Sequence, residues 1–267
     1  MSQPIITTRI KAGDGTIFQI TINRPEVYNC INGEAAALLL EAWKTFRDDD
    51  TLTVAILHGA GDKAFCSGAD LTALDGLMDM GASEDEVERY IKEGTGPMGG
   101  TRIVQSKPVI TVSQGYTYAG GLELFCHGHI RIAEQNATFS VACRRWGVPL
   151  ADGGTVYLPR LVGTSAALPL IITGQKITAQ RAYEIGLVWE LTEQGKGLER
   201  ALEYASQICE QPVDALMADL SSALNGQHLS TEDALRLEAK GIYPVIRSES
   251  IKKGVEKFLS GNRNWFK

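Results

Sequence analysis

The sequence predicts an α/β fold that ends in a helical C-terminal region. Two observations carry this. Short apolar runs bounded by Gly, Pro, Asn or charged residues alternate with helical patterns, and from about Gly197 onward the pattern is helical without clear strands. At 267 residues the chain is long enough for one large core, or for a core with a helical appendage.

The runs 17–22, 54–57, 108–112 and 187–191 have the length and boundaries of buried strands. Between the first two, Asn32 is placed to cap a helix whose apolar stripe is Leu38, Leu39, Ala42, Trp43 and Phe46. The stretch 76–100 holds Met78, Met80, an acidic run at 84–88 and the glycines Gly94, Gly96, Gly99 and Gly100. It reads as a helix flanked by loops. Further on, Pro212 sits where a first helical residue would, and Gly226 follows as a stop. Ser248 can cap a helix carrying Ile251, Val255, Phe258 and Leu259.

Composition narrows the function classes. The formal net charge is −6 and no basic cluster is dense enough for a nucleic-acid footprint. No apolar run approaches the ~20 residues needed to span a membrane, and Met1-Ser2-Gln3-Pro4 lacks a signal region. The expectation is a soluble, cytoplasmic protein. Its cysteines, Cys30, Cys66, Cys126, Cys143 and Cys209, form no CxxC pair and read as reduced thiols. His127-Gly128-His129 offers two imidazoles without a nearby third donor, which points to satisfied histidines rather than a metal site.

Chemistry concentrates in two segments. The strand run 108–112 leads to Ala119-Gly120-Gly121-Leu122-Glu123, where paired glycines permit a tight turn and close approach of a ligand. If Gly121 opens a helix, free N–H groups and the positive end of the helix dipole favour a developing oxyanion, with Glu123 on the first turn beside it. The run 54–57 leads likewise to Ala64-Phe65-Cys66-Ser67-Gly68-Ala69-Asp70-Leu71, again with a small-residue turn. Two such turns, each giving one N–H to a single oxygen, make an oxyanion hole, and a carboxylate beside it moves protons on neighbouring carbons.

These two segments resemble the signature stretches of the enoyl-CoA hydratase/isomerase (crotonase) superfamily. Similar stretches extend along the chain: Thr21-Ile22-Asn23-Arg24-Pro25-Glu26, Leu158-Pro159-Arg160-Leu161-Val162-Gly163, Gly186-Leu187-Val188 and Gly254-Val255-Glu256-Lys257-Phe258-Leu259. The resemblance implies an α/β crotonase-like spiral of repeated ββα units over residues 1–196, then a helical C-terminal trimerisation region over 197–267. It also implies a homotrimer or a dimer of trimers. By the same resemblance, the N–H groups of Ala69 and Gly120 bind the thioester oxygen of an acyl-CoA, and Ser67, Gly68, Asp70 and Leu71 line the CoA channel. Glu123 then matches the first catalytic glutamate of the hydratases. No cofactor is implied, since coenzyme A is part of the substrate, and no metal.

The resemblance breaks at the second hydratase glutamate. Its position, twenty residues after the first, is Cys143. A thiol with a pKa of ~8.5 is a poor proton donor near neutrality. Arg144 and Arg145 could lower that pKa, although a small buried cysteine is the commoner case. Asp152, in Leu150-Ala151-Asp152-Gly153-Gly154, is the candidate replacement. Dienoyl-CoA isomerases and an aryl-CoA dehalogenase carry a working aspartate in the same loop, aligned with Ala151. The alternative for Asp152 is a helix N-cap. Tyr116 and Tyr118, just before the second turn, either shape the acyl pocket or only pack. The reading is an acyl-CoA enzyme that hydrates 2-enoyl-CoA thioesters with Glu123 as acid/base. The alternatives are double-bond isomerisation, or a non-catalytic acyl-CoA binder that has lost the second acid.

Overall fold

The structure is a computed structural model that describes residues 3–76 and 82–261. Met78, Met80, Trp265 and Phe266 lie outside the described residues. In chain order the elements are β1 (Ile5–Ala12), β2 (Gly15–Ile22), α1 (Gly33–Asp48), β3 (Val54–Gly59), β4 (Ala64–Cys66), α2 (Glu84–Glu93), β5 (Val109–Ser113), β6 (Tyr116–Tyr118) and α3 (Gly120–Cys126). There follow β7 (Ile130–Glu134), β8 (Thr138–Ser140), α4 (Gly154–Val162), α5 (Thr164–Thr173), β9 (Ile177–Thr178), α6 (Ala179–Glu184), β10 (Glu190–Thr192), α7 (Gly197–Cys209), α8 (Val213–Asn225), α9 (Thr231–Ile246) and α10 (Glu249–Leu259).

The strands form two sheets. The larger has the order β1-β2-β3-β5-β7-β10 and the smaller β4-β6-β8-β9. Only β1 with β2, and β8 with β9, pair antiparallel; the other pairs run parallel. Each successive pair, β3 and β4, then β5 and β6, then β7 and β8, sends one strand to the large sheet and the next to the small one before a helix follows. This is the ββα spiral in an α/β frame.

Strand alternation explains the layers, because successive side chains leave opposite faces of a sheet. Ile17, Val54, Ile56, Ile110, Val112 and Ile132 pack with Ala201, Ala205 and Cys209 of α7. Their neighbours Phe18, Ala55, Leu57, Val109 and Ala133 face the larger core with Leu39, Trp43 and Phe46 of α1. Central parallel strands covered on both faces read as continuous apolar runs, as β3 and β5 do. Of the C-terminal helices, α7 thus belongs to the core, whereas α8 and α9 bury no residue.

Local signals mostly land where the residues place them. Asn32 accepts the Ala35 N–H at 2.9 Å and starts α1, and Ser83 with Glu86 forms a capping box that starts α2. Three expectations shift. The run 187–191 yields a strand only at Glu190–Thr192, while Leu187 and Val188 are buried in the preceding turn, both N–H groups donating to Ala182 O. Pro212 occupies the cap position before α8, and after Gly226 the chain makes one further 3₁₀ turn. Ser248 precedes α10, but its hydroxyl donates to Val245 O at 2.8 Å instead of capping. Among the described residues no helix is long and apolar enough to cross a membrane.

Candidate active site

Because β4 and β6 are neighbouring parallel strands, the turns that follow them lie side by side. Gly68 has φ +103°, and a Cβ there would sit 2.9 Å from Ala119 Cβ and 3.2 Å from Gly120 N. Only glycine lets the first turn press against the second in this way. On one side of the turn, Ile31 N–H donates to Gly68 O at 2.9 Å and Asp70 N–H donates to Ile31 O at 2.8 Å. By strand alternation the Ala69 N–H between them points to the opposite side. In the second turn Ala119 adopts φ 51° and ψ −125°, and its carbonyl accepts the Leu122 and Glu123 N–H groups. The helix therefore opens at Gly120, one residue before the expected Gly121, and the Gly120 and Gly121 N–H groups precede the first intrahelical donor. Among the described residues neither the Ala69 nor the Gly120 N–H has a protein acceptor.

Glu123 falls on the first turn of α3 and is 2% exposed. Its Oε1 accepts the N–H groups of Asp152, at 2.9 Å, and Gly154, at 2.8 Å. Oε2 forms no hydrogen bond among the described residues, although the Ala151 N–H also favours the ionised carboxyl. Burial, then the charge of Asp152, pushes the Glu123 carboxyl up to about 7, against the opposing pull of the backbone donors. A group in that range takes and gives protons with equal ease near neutrality. Gly154 is required here, since a Cβ would lie 2.8 Å from Glu123 Cγ.

Ser67, Ala69, Leu71, Gly120, Glu123, Cys143 and Asp152 line one cavity, whose remaining wall is largely apolar: Pro97, Met98, Ala142, Trp146, Val148 and Pro149. Gly68 and Asp70 stand outside that lining. Gly68 forms the contact between turns, and Asp70 pairs with Arg24 at 3.1 Å. Cys143 is buried, and desolvation with the nearby Glu123 raises its pKa despite Arg144. The thiol is neutral and supplies no ready acid at the place of the second glutamate.

Asp152 reaches the site, but not as the helix cap envisaged. Gly153 takes the cap position of α4, with no side-chain cap bond. The Asp152 Oδ1 accepts instead from Met98 N–H at 3.0 Å and from the Thr101 hydroxyl. Met98, Thr101 and Trp146 were not foreseen from the sequence. The cluster of positive-φ glycines at Gly96, Gly99 and Gly100 was the available sign that this loop turns tightly beside something.

The remaining candidates are accounted for by packing. His129 Nδ1 accepts the Val109 N–H at 3.0 Å, and His127 lies 5.0 Å from the Tyr157 ring with Nε2 3.4 Å from Asp152 O. Burial pushes both imidazoles down to about 4, so they are neutral. Tyr116 and Tyr118 pack against each other with centroids 5.1 Å apart and rings tilted by 43°, and Tyr28 lies 5.8 Å from Tyr116; neither Tyr116 nor Tyr118 lines the cavity.

The enoyl-CoA hydratase/isomerase family profile covers residues 12–267. The chain belongs to this family. It is 30% identical over 240 residues to an (E)-benzylidenesuccinyl-CoA hydratase of Thauera aromatica, covering 90% of this chain and 91% of that one. It is 30% identical over 246 residues to a 1,2-epoxyphenylacetyl-CoA isomerase of Escherichia coli (strain K12), covering 91% and 92%. A crystal structure of an enoyl-CoA hydratase from Mycobacterium tuberculosis H37Rv superposes with a TM-score of 0.86 at 29% identity, covering 97% of this chain and 96% of that one. The protein is thus a crotonase-family enzyme of acyl-CoA chemistry.

Proposed function

We propose that the chain hydrates 2-enoyl-CoA thioesters, with the Ala69 and Gly120 N–H groups holding the thioester oxygen and Glu123 carrying the proton. The observation that carries this is Glu123 itself, a buried carboxyl raised to about 7 whose Oε1 is held by two N–H groups while Oε2 forms no hydrogen bond among the described residues. Hydration is proton-neutral: the proton lost by water is the one Cα needs. A single carboxylate that takes it at Oε2 and returns it to Cα balances the reaction while the N–H pair stabilises the intervening enolate. Cys143 in place of a second acid is therefore compatible with the reaction. Ser67 and Leu71 line the cavity toward the thioester-bearing part of the substrate, and the apolar wall suits an apolar acyl group.

Cys143 favours a second reading, double-bond isomerisation, because moving one proton between carbons needs no activated water. Enoyl-CoAs of graded chain length separate the two. Hydration removes the conjugated thioester absorbance and adds the mass of one water; isomerisation leaves the mass unchanged. Glu123→Gln should lower turnover by roughly 10²–10⁴-fold in either case. Tight acyl-CoA binding with no turnover across the panel would leave a non-catalytic binder.

A further inference from the structure

We propose that Asp152 is a positioning residue that fastens the 96–101 loop to the oxyanion turn and tunes Glu123. The inference rests on the reading of Glu123 as the proton carrier.

Asp152 is 3% exposed and works in two directions. Its backbone N–H donates to Glu123 Oε1 at 2.9 Å, while its Oδ1 accepts the Met98 N–H at 3.0 Å and the Thr101 hydroxyl. With two donors, Oδ1 is committed to the loop. The loop is shaped to reach it: Gly96 has φ +95°, and a Cβ there would lie 2.0 Å from Thr101 Oγ1 and 3.1 Å from Asp152 Oδ1. What the loop delivers is Met98. A Cβ on Gly120 would meet Met98 Sδ at 1.9 Å, so this side chain seals the turn whose N–H is free. One aspartate thereby ties the proton carrier, through its main chain, to the oxyanion turn, through its side chain.

The electrostatics follow from the same contacts. Titratable or charged groups around the pair are Arg102 and Tyr90 on the loop side, Cys66, Cys126 and His127 behind it, and Cys143 across the cavity. Cys66 and Cys126 are pushed to about 12, Cys143 and Tyr90 are raised, and His127 is lowered to about 4. Between pH 5 and 8, as round limits, these are neutral, which leaves Arg102 and the two carboxyls as the charges present. Burial raises Asp152, but the Thr101 hydroxyl, the Met98 N–H and Arg102 all favour its ionised form. Where it is ionised, its charge adds to burial in raising Glu123.

The test is a ¹³C titration of the Glu123 carboxyl, assigned by its disappearance in Glu123→Gln, in wild type, Asp152→Asn and Asp152→Ala. It needs no turnover, so it stands apart from the question of which reaction is catalysed. Asn keeps an acceptor for Met98 and Thr101 and removes only the charge. The Glu123 midpoint should fall below about 7 but stay above the ordinary glutamate value, because burial remains, with a matching shift in the pH–rate profile and less than about a tenfold loss at the new optimum. Asp152→Ala should in addition raise KM by releasing Met98. An unmoved midpoint overturns the tuning role. A loss of roughly 10²–10⁴-fold at every pH in the Asn variant, with an unchanged melting temperature, overturns the proposal in favour of a proton-exchanging Asp152.

Discussion

Glu123 stores instability at the place of its proposed proton transfer. Its folded carboxyl is raised from 4.5 to about 7. Between those values the folded state holds a proton that the unfolded chain has lost, so stability is fully present below about 4.5 and falls as pH rises through about 7. At ~1.36 kcal/mol per pH unit the loss is a few kcal/mol at most. Glu123→Gln keeps an acceptor for the Asp152 and Gly154 N–H groups and removes the charge. We expect the variant to match wild type in melting temperature near pH 4.5 and to exceed it near pH 8, as scanning calorimetry would show; an equal difference at both pH values would contradict the raised carboxyl. Glu123 was legible because its signal is local, a carboxylate four positions after a strand-ending turn. The part played by Asp152 was not. Its partners Glu123, Met98 and Thr101 lie 29, 54 and 51 positions away, and no pattern in one sequence joins them.

At the level of elements, the proposed oxyanion geometry depends on β4 and β6 ending side by side, so the contact between their turns is the point to perturb. Gly68→Ala places a Cβ at φ +103° and 2.9 Å from Ala119 Cβ. Backbone strain of this kind costs on the order of 1–3 kcal/mol. The same clash moves the Gly120 N–H, and loss of one oxyanion donor in comparable sites costs about 2.7–4 kcal/mol at the transition state. Denaturant unfolding and steady-state kinetics should therefore show a stability loss within that first range and a drop in kcat of about tenfold or more; unchanged kcat would remove the Gly68–Ala119 contact from the mechanism. The central strands were readable because burial on both faces imposes unbroken apolar runs on β3 and β5. The run 187–191 misled for the same reason. Leu187 and Val188 are buried, but hydropathy reports burial and not pairing, and the ladder to β7 begins only at Glu190 opposite Ile132.

For the whole molecule the question is what covers the C-terminal helices. Unlike α7, whose Ala201, Ala205 and Cys209 seal the sheet, α8 and α9 bury nothing within the chain. On α9 Leu235, Ile242 and Ile246 share one helical stripe, and Leu235 and Ile246 are 58% and 55% exposed. On α10 Ile251, Val255 and Leu259 repeat the pattern. Exposed apolar stripes of this sort mark an association site. The proposal is that 197–267 carries the contacts of a homotrimer or a dimer of trimers. Light scattering at micromolar concentration should give three or six times the chain mass. Because neither side chain contributes to the buried core, Leu235→Asp with Ile246→Asp should lower that mass while leaving the far-ultraviolet circular dichroism unchanged. A wild-type protein that runs as a monomer would show that these stripes face solvent, and the trimer would have to be given up.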